Sequence, residues 1–217
     1  LNREARFYNT VFFNGRQWPV TCKQVQFYNG GNAGVQEGQA TTTGYMLFKR
    51  FNRSISKTSP GVASQNRPSI IFRLADFYLI YAEVANEVNP SDSRVLTYLN
   101  LVRERAGLPK VEILNPGIVG NKELQRAAIQ RERQIELATE GQRYFDVRRW
   151  MIADKDGEGR QNGYAHGMNV RGTINDTEEF NRVVETEKIV FNRKMYLQPI
   201  PDHEMRKTQN LVQNPGW

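Results

Sequence analysis

Residues 132–150, ERQIELATEGQRYFDVRRW, gather the side chains of this sequence that are best suited to chemistry. These nineteen residues hold three glutamates, one aspartate and four arginines beside several aromatic rings. Paired carboxylates can act as the acid and base of a hydrolase, arginines can bind phosphate, and the two together can form a buried polar network. Choosing among these interpretations requires knowing which helices carry these side chains and which way each helix face points.

Two consecutive helices are predicted to carry the stretch, over residues 122–140 and 142–153, with Gly141 closing the first. Arg131 falls in the middle of the apolar stripe of the first helix, which is formed by Leu124, Ala127, Ala128, Ile135 and Ala138. Glu132, Glu136 and Glu140 follow along its flank, where their like charges require cations from elsewhere. Arg148 lies in the corresponding stripe of the next helix, among Tyr144, Val147 and Met151.

A structural role for these charges follows from the cost of burying them. A buried guanidinium without a partner is very costly, so the two arginines predict carboxylates within reach. Arginine pairing also lowers the pKa of a carboxyl group, which makes it a poor general acid. We therefore interpret Arg131, Glu132, Glu136, Asp146 and Arg148 as an ion-pair brace between the two helices. A carbohydrate-active hydrolase that uses Glu132 and Glu136 is the alternative.

An antiparallel pair of helices is predicted upstream, over about residues 69–88 and 91–106. Asn89-Pro90 ends the first helix, Ser91 or Asp92 caps the second, and Gly107 follows it. Helical spacing places several apolar side chains together on each helix: Phe77, Ile80, Tyr81, Val84 and Val88 on the first, and Val95, Leu99 and Val102 on the second. The pair resembles one tetratricopeptide-type unit, and a lone unit is expected to leave an apolar face exposed.

The first section, residues 1–68, is rich in turns and short β-like segments. ARFYNTVFF followed by Asn14-Gly15 predicts a β-hairpin, and KQVQFY and TGYMLFKRF predict further short strands. Trp18, Tyr28 and Tyr45 lie here and are candidate ligand-binding residues, since an aromatic face suits the C–H face of a sugar. The alternative is that these rings pin the loops to the core.

The chain is therefore expected to be mainly α-helical, with short β-hairpins in a loop-rich part. The predicted division is a loop-rich section over 1–68, which completes a ligand face, and a helical region over 69–217 that includes loops and short strands after residue 153. Both are expected to belong to one structural unit. Because the sequence opens on LNREARFYNT without a methionine, we expect a longer parent protein.

Several other classes of function are disfavoured by the composition. The formal net charge is +7, but the basic residues are scattered among acidic ones, which argues against nucleic-acid binding. The single cysteine, Cys22, and the isolated His166 and His203 predict no metal site. DKDGEG at 154–159 lacks the full calcium-loop spacing, and no motif for a cofactor is present. No apolar run is long enough for a membrane helix.

Five motifs occur in order between Phe72 and Trp217: YLIYAEVANE, LNLVRERAGLP, ERQIELATEGQRYFDVRRW, YLQPIP and QNPGW. Together they resemble the C-terminal half of the SusD/RagB family, the outer-membrane nutrient-binding lipoproteins of Bacteroidetes. ARFYNTVFFNG is similar to the segment that precedes this half in the family. The family's lipidated N-terminal cysteine and most of its repeat helices are not represented in the sequence.

The resemblance implies a SusD-like fold built on tetratricopeptide-type helices and held at the cell surface by an N-terminal lipid. It implies a non-catalytic protein that captures glycans or peptides for a SusC-like TonB-dependent outer-membrane transporter. Ligand sites in the family vary with the substrate, so the resemblance assigns no ligand residues here. A helical scaffold that binds only protein is a further alternative.

Overall fold

The structure is a computed structural model that describes residues 2–18, 23–34, 41–51, 69–155, 162–173, 176 and 178–217. These residues form two compact units. The first comprises Leu1–Arg143 and Met168–Arg182, and the second comprises Tyr144–Gly167 and Val183–Trp217. Cys22, the predicted boundary at residue 68 and most of the 154–159 segment lie outside the described residues.

Helices dominate the described part of the chain, as the sequence predicts. Seven α-helices are present there: α1 (Ala5–Thr10), α2 (Leu74–Val88), α3 (Arg94–Arg105), α4 (Val111–Leu114), α5 (Lys122–Glu136), α6 (Gln142–Arg149) and α7 (Asp202–Met205). Two 3-10 helices span Pro116–Ile118 and Arg193–Tyr196. Four short strands make two two-stranded sheets, β1 (Val11–Phe13) with β2 (Tyr45–Leu47) and β3 (Gly163–Met168) with β4 (Val183–Ile189).

Helices α2, α3 and α5 enclose the larger apolar core of the first unit. The predicted stripe of α3 is confirmed, since Val95, Leu99 and Val102 are all buried. The predicted end of α2 is confirmed, since the helix stops at Val88 with Asn89 as its C-cap. The predicted cap of α3 is not: the N-cap is Ser93, whose side chain forms no capping hydrogen bond, and not Ser91 or Asp92. The Asp92 carboxylate does accept a hydrogen bond from the backbone N–H of Arg94 at 2.9 Å. Residues from α2, α4, α5 and the first 3-10 helix complete this core: Ala75, Leu79, Ala82, Val111, Ile118 and Ile129.

The opposite face of α2 is apolar and exposed, which confirms the expectation of an uncovered helical pair. The exposed side chains are those that share helical spacing in the sequence: Phe77, Ile80, Tyr81, Val84 and Val88. The most exposed of them, Val88, has 81% of its surface accessible, whereas Leu79 on the inner face has none. Helix α2 therefore carries apolar residues on two faces and buries only one of them within the described chain.

Helix α5 buries a different face from the predicted one. Leu124, Ala127 and Arg131 of the predicted stripe are exposed, and the buried side chains are Gln125, Ile129, Glu132, Arg133 and Glu136. The prediction that Arg131 is buried is therefore wrong, and Arg133 is the buried arginine of this helix. Helical spacing predicted that the more apolar side of the helix would be buried. The inner side is polar because arginines from other elements neutralise its carboxylates.

The end of α5 also differs from the prediction. The helix stops at Glu136 rather than Glu140, and a turn follows in which Thr139 has a φ of 68° and Gly141 a φ of 85°. Gly141 adopts this left-handed conformation without steric cost. Glu140 consequently lies in the turn, off the helical face where the sequence placed it.

The N-terminal segment folds as a short helix and a strand, not as the predicted hairpin. Residues 5–10 are helical, and the strand that follows, β1, pairs antiparallel with β2 in a register that sets Phe12 opposite Met46. The turn at Asn14-Gly15 is present, and Gly15 has a φ of +83°. It leads into a bridge between Gln17 and Gln24 instead of a partner strand for β1. Distant pairing with β2 thus overrides the local hairpin signal.

The second unit has a small core of its own. Val147 on α6, Ala153 after it and Phe191 are buried together, with Met195 and Tyr196 packed against them. The Tyr196 hydroxyl donates to the Asp154 carboxylate at 2.5 Å. The indole N–H of Trp217 donates to the backbone carbonyls of Lys194 and Leu197, each at 3.0 Å, which ties the C-terminal motif to this unit.

Candidate functional site

A cavity of about 280 Å³ lies beside the β1–β2 sheet in the first unit. Phe12 of β1 and Met46 of β2 contribute to its wall because they face each other in the strand register. The remaining lining residues come from the segment between the strands: Trp18, Lys23, Gln24, Val25, Phe27, Asn32 and Ala33. The wall is thus largely apolar and aromatic, and amide and ammonium groups lie among its lining residues, a composition typical of small-ligand sites.

Trp18 is held in this wall by two other aromatic rings. Its ring meets Phe12 edge-to-face with the centroids 5.2 Å apart, and it meets Phe51 in the same way at 4.9 Å. The indole is half-buried and packs against the cluster formed by Phe12, Val25, Phe27, Phe48 and Phe180. Trp18 therefore both pins a loop to the core and presents a surface to the cavity.

Tyr28 and Tyr45 do not line this cavity. Tyr28 is half-buried and packs edge-to-face on Phe180 with the centroids 6.2 Å apart. Tyr45 lies on β2 opposite Phe13, and its backbone carbonyl accepts a hydrogen bond from the Thr41 hydroxyl at 2.7 Å. The structure thus places one of the three predicted aromatics at the cavity, and a ligand role for Tyr28 and Tyr45 stays a prediction.

Asn32 fixes the loop that forms one side of the cavity. Its side-chain oxygen accepts from the backbone N–H of Gln26 at 2.9 Å, and its amide donates to the carbonyl of Gln24 at 2.8 Å. These two bonds hold the 24–26 segment, which contains Val25 of the cavity wall. Because the bonds satisfy loop backbone groups, the cavity is preformed by the fold.

The carboxylates of α5 lie in a dense ion-pair network. The Glu132 carboxylate forms ion pairs with Arg6, at 2.5 Å from Oε1, and with Arg103, at 3.1 Å from Oε2. The Glu136 carboxylate forms ion pairs with Arg6 at 3.0 Å, with Arg73 at 2.6 Å and with Arg105. These cations come from α1, from the residue before α2 and from α3, and not from the following helix as the brace between the two helices predicted.

The network lowers the pKa values of two of its carboxyl groups, those of Glu136 and Glu140. Burial by itself would raise the pKa of Glu136, but hydrogen bonds from Arg73, Arg6 and Arg105 outweigh it and hold the pKa below its ordinary value. The pKa of Glu140 is lowered in the same way, against burial, by Arg73 and Lys49. A carboxyl group in this state is ionised at neutral pH and is poorly suited to protonate a leaving group.

The other two residues of the predicted brace lie in the second unit. Asp146 is buried and pairs with Arg149, three residues further along α6, at 2.8 Å. The Arg148 guanidinium lies 3.5 Å from the centroid of the Tyr144 ring and 4.9 Å from that of Phe191. It also donates to the carbonyl of Tyr144 at 3.0 Å. Arg148 thus stacks on aromatic faces, an environment that suits a planar, weakly hydrated guanidinium.

The described residues contain neither a cluster of metal-ligating side chains nor a helix of membrane-spanning character. Across the described ranges, no three His, Cys, Asp or Glu side chains come together as a metal site would require. His166 is exposed on β3, and the side chain of His203 is 72% exposed beside Glu204. None of the described helices has the length and apolar character that crossing a membrane requires.

This chain belongs to the SusD family, whose model matches residues 1–217. It is 44% identical over 106 residues to SusD-like protein P25 of Formosa agariphila, a match that covers 49% of the chain and 19% of that relative. It is 31% identical over 153 residues to SusD-like protein P2 of the same organism, covering 68% of the chain and 26% of the relative.

Solved structures share the fold. A SusD-like protein from Bacteroides fragilis superposes with a TM-score of 0.81 at 29% identity, covering 99% of this chain and 39% of that one. A SusD-like carbohydrate binding protein from the same species gives a TM-score of 0.73 at 24% identity, covering 97% and 42%. The chain thus spans well under half the length of these relatives. The mainly helical, SusD-like fold that the five motifs imply is confirmed.

Sequence reasoning missed most of the cavity. Phe12, Val25, Phe27 and Met46 meet there from separate segments, and the family motifs mark none of them as a ligand contact. The alternation in TGYMLFKRF, which turns Met46 to one face of a strand and Leu47 to the other, is the one local signal that could have indicated Met46.

Proposed function

We propose that this chain is part of a non-catalytic cell-surface protein that binds a glycan and passes it to a SusC-like TonB-dependent outer-membrane transporter. Membership of the SusD family supports the general role. The observation that supports a binding site within this chain is the cavity beside Trp18, whose wall is apolar and includes polar residues.

The cavity suits a sugar ring on chemical grounds. An aromatic side chain can pack against the apolar C–H face of a pyranose, while amide groups bond the equatorial hydroxyls. Trp18, packed against the buried Phe12, provides the ring, and Gln24 provides an amide. At about 280 Å³ the space is suited to one or two sugar units, which matches capture of part of a longer chain.

Binding without cleavage is favoured by the state of the carboxylates that first suggested a hydrolase. Glu132 and Glu136 are each engaged by at least two arginines and are almost fully buried. A glycosidase requires one protonated carboxyl group and one carboxylate on opposite sides of the scissile bond. Both carboxylates lie on one helix face, buried among arginines and closed to a sugar, and the lowered pKa of Glu136 leaves that group ionised.

Two neighbouring residues of β2 provide a sharp test of the cavity. Met46 and Leu47 are both 49% exposed, but only Met46 lines the cavity. Met46→Ala should weaken glycan binding by the whole protein about threefold to tenfold through lost packing, and Leu47→Ala should leave it unchanged. Titration calorimetry against a panel of plant and algal oligosaccharides measures the affinities, and thermal melts of both variants control for stability.

The same panel, extended with peptides, separates the alternatives. Release of reducing ends from any member would show a hydrolase, and binding of peptides with no response to the glycans would show peptide capture. If neither class binds and only a protein partner is retained, the scaffold interpretation holds. If Met46→Ala and Leu47→Ala changed the affinity equally, the cavity would be excluded as the ligand site.

A further inference from the structure

A groove of about 510 Å³ runs between α1 and α5 in the first unit, separate from the cavity beside Trp18. The two sites share no lining residue. Its lining combines charged, polar and apolar side chains, among them Arg3, Arg6, Phe7, Arg131, Gln134 and Ile135. Arg131, which the sequence placed in the core, therefore lies at the edge of an open groove.

The charges of the groove do not cancel. Glu4 is the one carboxylate among the lining residues, and Arg6 occupies both of its oxygens, with Nε at 3.0 Å and Nη2 at 2.9 Å. The remaining nitrogen of Arg6, Nη1, is taken by Glu132 and Glu136 at 2.5 and 3.0 Å. The charges of Arg6 and Glu4 are thus neutralised by partners within the fold, and no unpaired carboxylate among the lining residues faces the groove.

Two further guanidinium groups remain. Arg3 and Arg131 are exposed, and neither forms an ion pair with any residue that the structure describes. Arg3 lies with its guanidinium carbon 5.8 Å from the centroid of the Phe7 ring. Arg131 has Gln134 three residues further along the same face of α5. The groove therefore combines positive charge that the described fold leaves unneutralised with an aromatic ring and an amide.

We propose that the α1–α5 groove binds an anionic saccharide. Arg3 and Arg131 receive the carboxylate of a uronic acid or the sulfate of a sulfated sugar, because the guanidinium fork matches either oxyanion with two parallel hydrogen bonds. Gln134 and Thr10 bond sugar hydroxyls, and Phe7 and Ile135 provide the apolar wall. A neutral glycan can accept hydrogen bonds from the two arginines but forms no ion pair with them, so this groove selects for charge.

The test compares three oligosaccharides of equal length on the whole protein that carries this chain. Oligogalacturonate and a sulfated galactan fragment are the anionic probes, and a neutral galactan fragment is the reference. Both the preference for an anionic probe and its affinity should fall as salt rises from about 20 to 300 mM, because the partners are solvent-exposed charges. The probe that binds more tightly identifies the source of the oxyanion.

Variants assign the effect to the groove. Arg131→Gln and Arg3→Gln should each weaken the anionic probe about fivefold to tenfold, and the double variant should abolish its preference over the neutral one. Arg126→Gln is the matched control: it removes the same charge from the same helix, but Arg126 pairs with Glu87 and Glu123 away from the groove. Its effect should be less than twofold.

Three results would overturn the proposal. Equal affinity for the charged and neutral probes removes the charge selection, and an equal loss in Arg126→Gln shows a general effect of net charge. A fall of several degrees in the melting temperature of Arg131→Gln, with affinity unchanged, shows that an acidic protein segment and not a saccharide meets Arg131. Binding of neutral glycans and its response to Met46→Ala report on the proposed function separately.

Discussion

The guanidinium of Arg133 and the carboxylate of Asp76 form an ion pair that is almost completely withdrawn from solvent. Arg133 Nη1 lies 2.9 Å from Asp76 Oδ1, and the two side chains are 2% and 5% exposed. The pair joins the last turn of α5 to the first turn of α2. Since each charge is buried, the other is required to compensate the cost of taking it out of water.

Removal of Arg133 should therefore destabilise the protein far more than removal of the nearby Arg131. Arg133→Leu leaves Asp76 buried without its cation and should cost about 3–5 kcal/mol of unfolding free energy. Arg131→Leu alters an exposed side chain and should stay within about 0.5 kcal/mol. Urea unfolding followed by circular dichroism measures both.

The double variant Arg133→Leu/Asp76→Leu separates the pair from simple packing. Apolar side chains of similar size remove both charges together, so much of the stability should return. Equal stability of Arg133→Leu and Arg131→Leu would contradict the burial that the structure shows for this helix.

The difference between Arg131 and Arg133 shows what the sequence could and could not predict. Helical periodicity identified α2, α3 and α5 to within a few residues at most ends, because apolar spacing and cap residues are local signals. The buried face of α5 was not predictable in this way. It is polar, and it becomes a core face only because Arg6, Arg73 and Arg103 reach it from distant parts of the chain.

The candidate site was less predictable for the same reason. Trp18 was identified as a candidate from residue type, since tryptophan in a turn-rich segment suits a sugar platform. The opposite wall depends on β1 pairing with β2 across about thirty intervening residues, where the local Asn14-Gly15 signal favoured a hairpin instead. Long-range strand pairing and cavities leave little trace in short windows of sequence.

The arginine network should make the protein sensitive to acid. The pKa values of Glu136 and Glu140 are lowered in the folded state, so each contributes stability above the ordinary carboxyl pKa of about 4.3. This contribution is lost as pH falls through the lowered folded-state values. The urea midpoint should therefore decrease steeply below about pH 4.

Glu136→Gln tests the origin of that decrease. The variant should be less stable at pH 7, because Arg73, Arg6 and Arg105 lose their shared carboxylate, and its stability should depend less on pH below 4. Glu123→Gln is the control, since the Glu123 side chain is 76% exposed and its pairing with Arg126 contributes little. An unchanged pH profile in Glu136→Gln would exclude the network as the cause.

The exposed face of α2 should make the 217-residue chain self-associate when it is produced alone. Phe77, Val84 and Val88 are more than half exposed on this face, and apolar patches of this kind bind other apolar surfaces. Light scattering should detect oligomers, and a hydrophobic dye should bind. Val84→Ser should reduce both signals and preserve the fold, whereas Leu79→Ser on the buried face should unfold the protein. A monodisperse chain that binds no dye would contradict this prediction.

Alanine variants of the whole protein should divide the three candidate aromatics into rings that contact the ligand and rings that only pack in the core. A ring that acts as a sugar platform should lose about 1–2 kcal/mol of binding when removed. A ring that acts only in the core should instead lose about 3–5 kcal/mol of stability. Tyr28 packs on Phe180 and does not line the cavity, so Tyr28→Ala should lower stability alone. Tyr45→Ala should act on affinity only if a ligand reaches along β2.

Trp18 should show both effects, because one side of its ring packs on Phe12 and Phe51 and the ring also lines the cavity. Phe51→Ala provides the control, since it removes a packing partner of Trp18 but no lining residue of the cavity. Trp18→Ala and Phe51→Ala should therefore lose comparable stability, and only Trp18→Ala should also lose affinity when binding is measured well below the melting temperature of both. If the two variants bind glycan equally well, the indole is a core ring and the ligand contacts lie elsewhere in the protein.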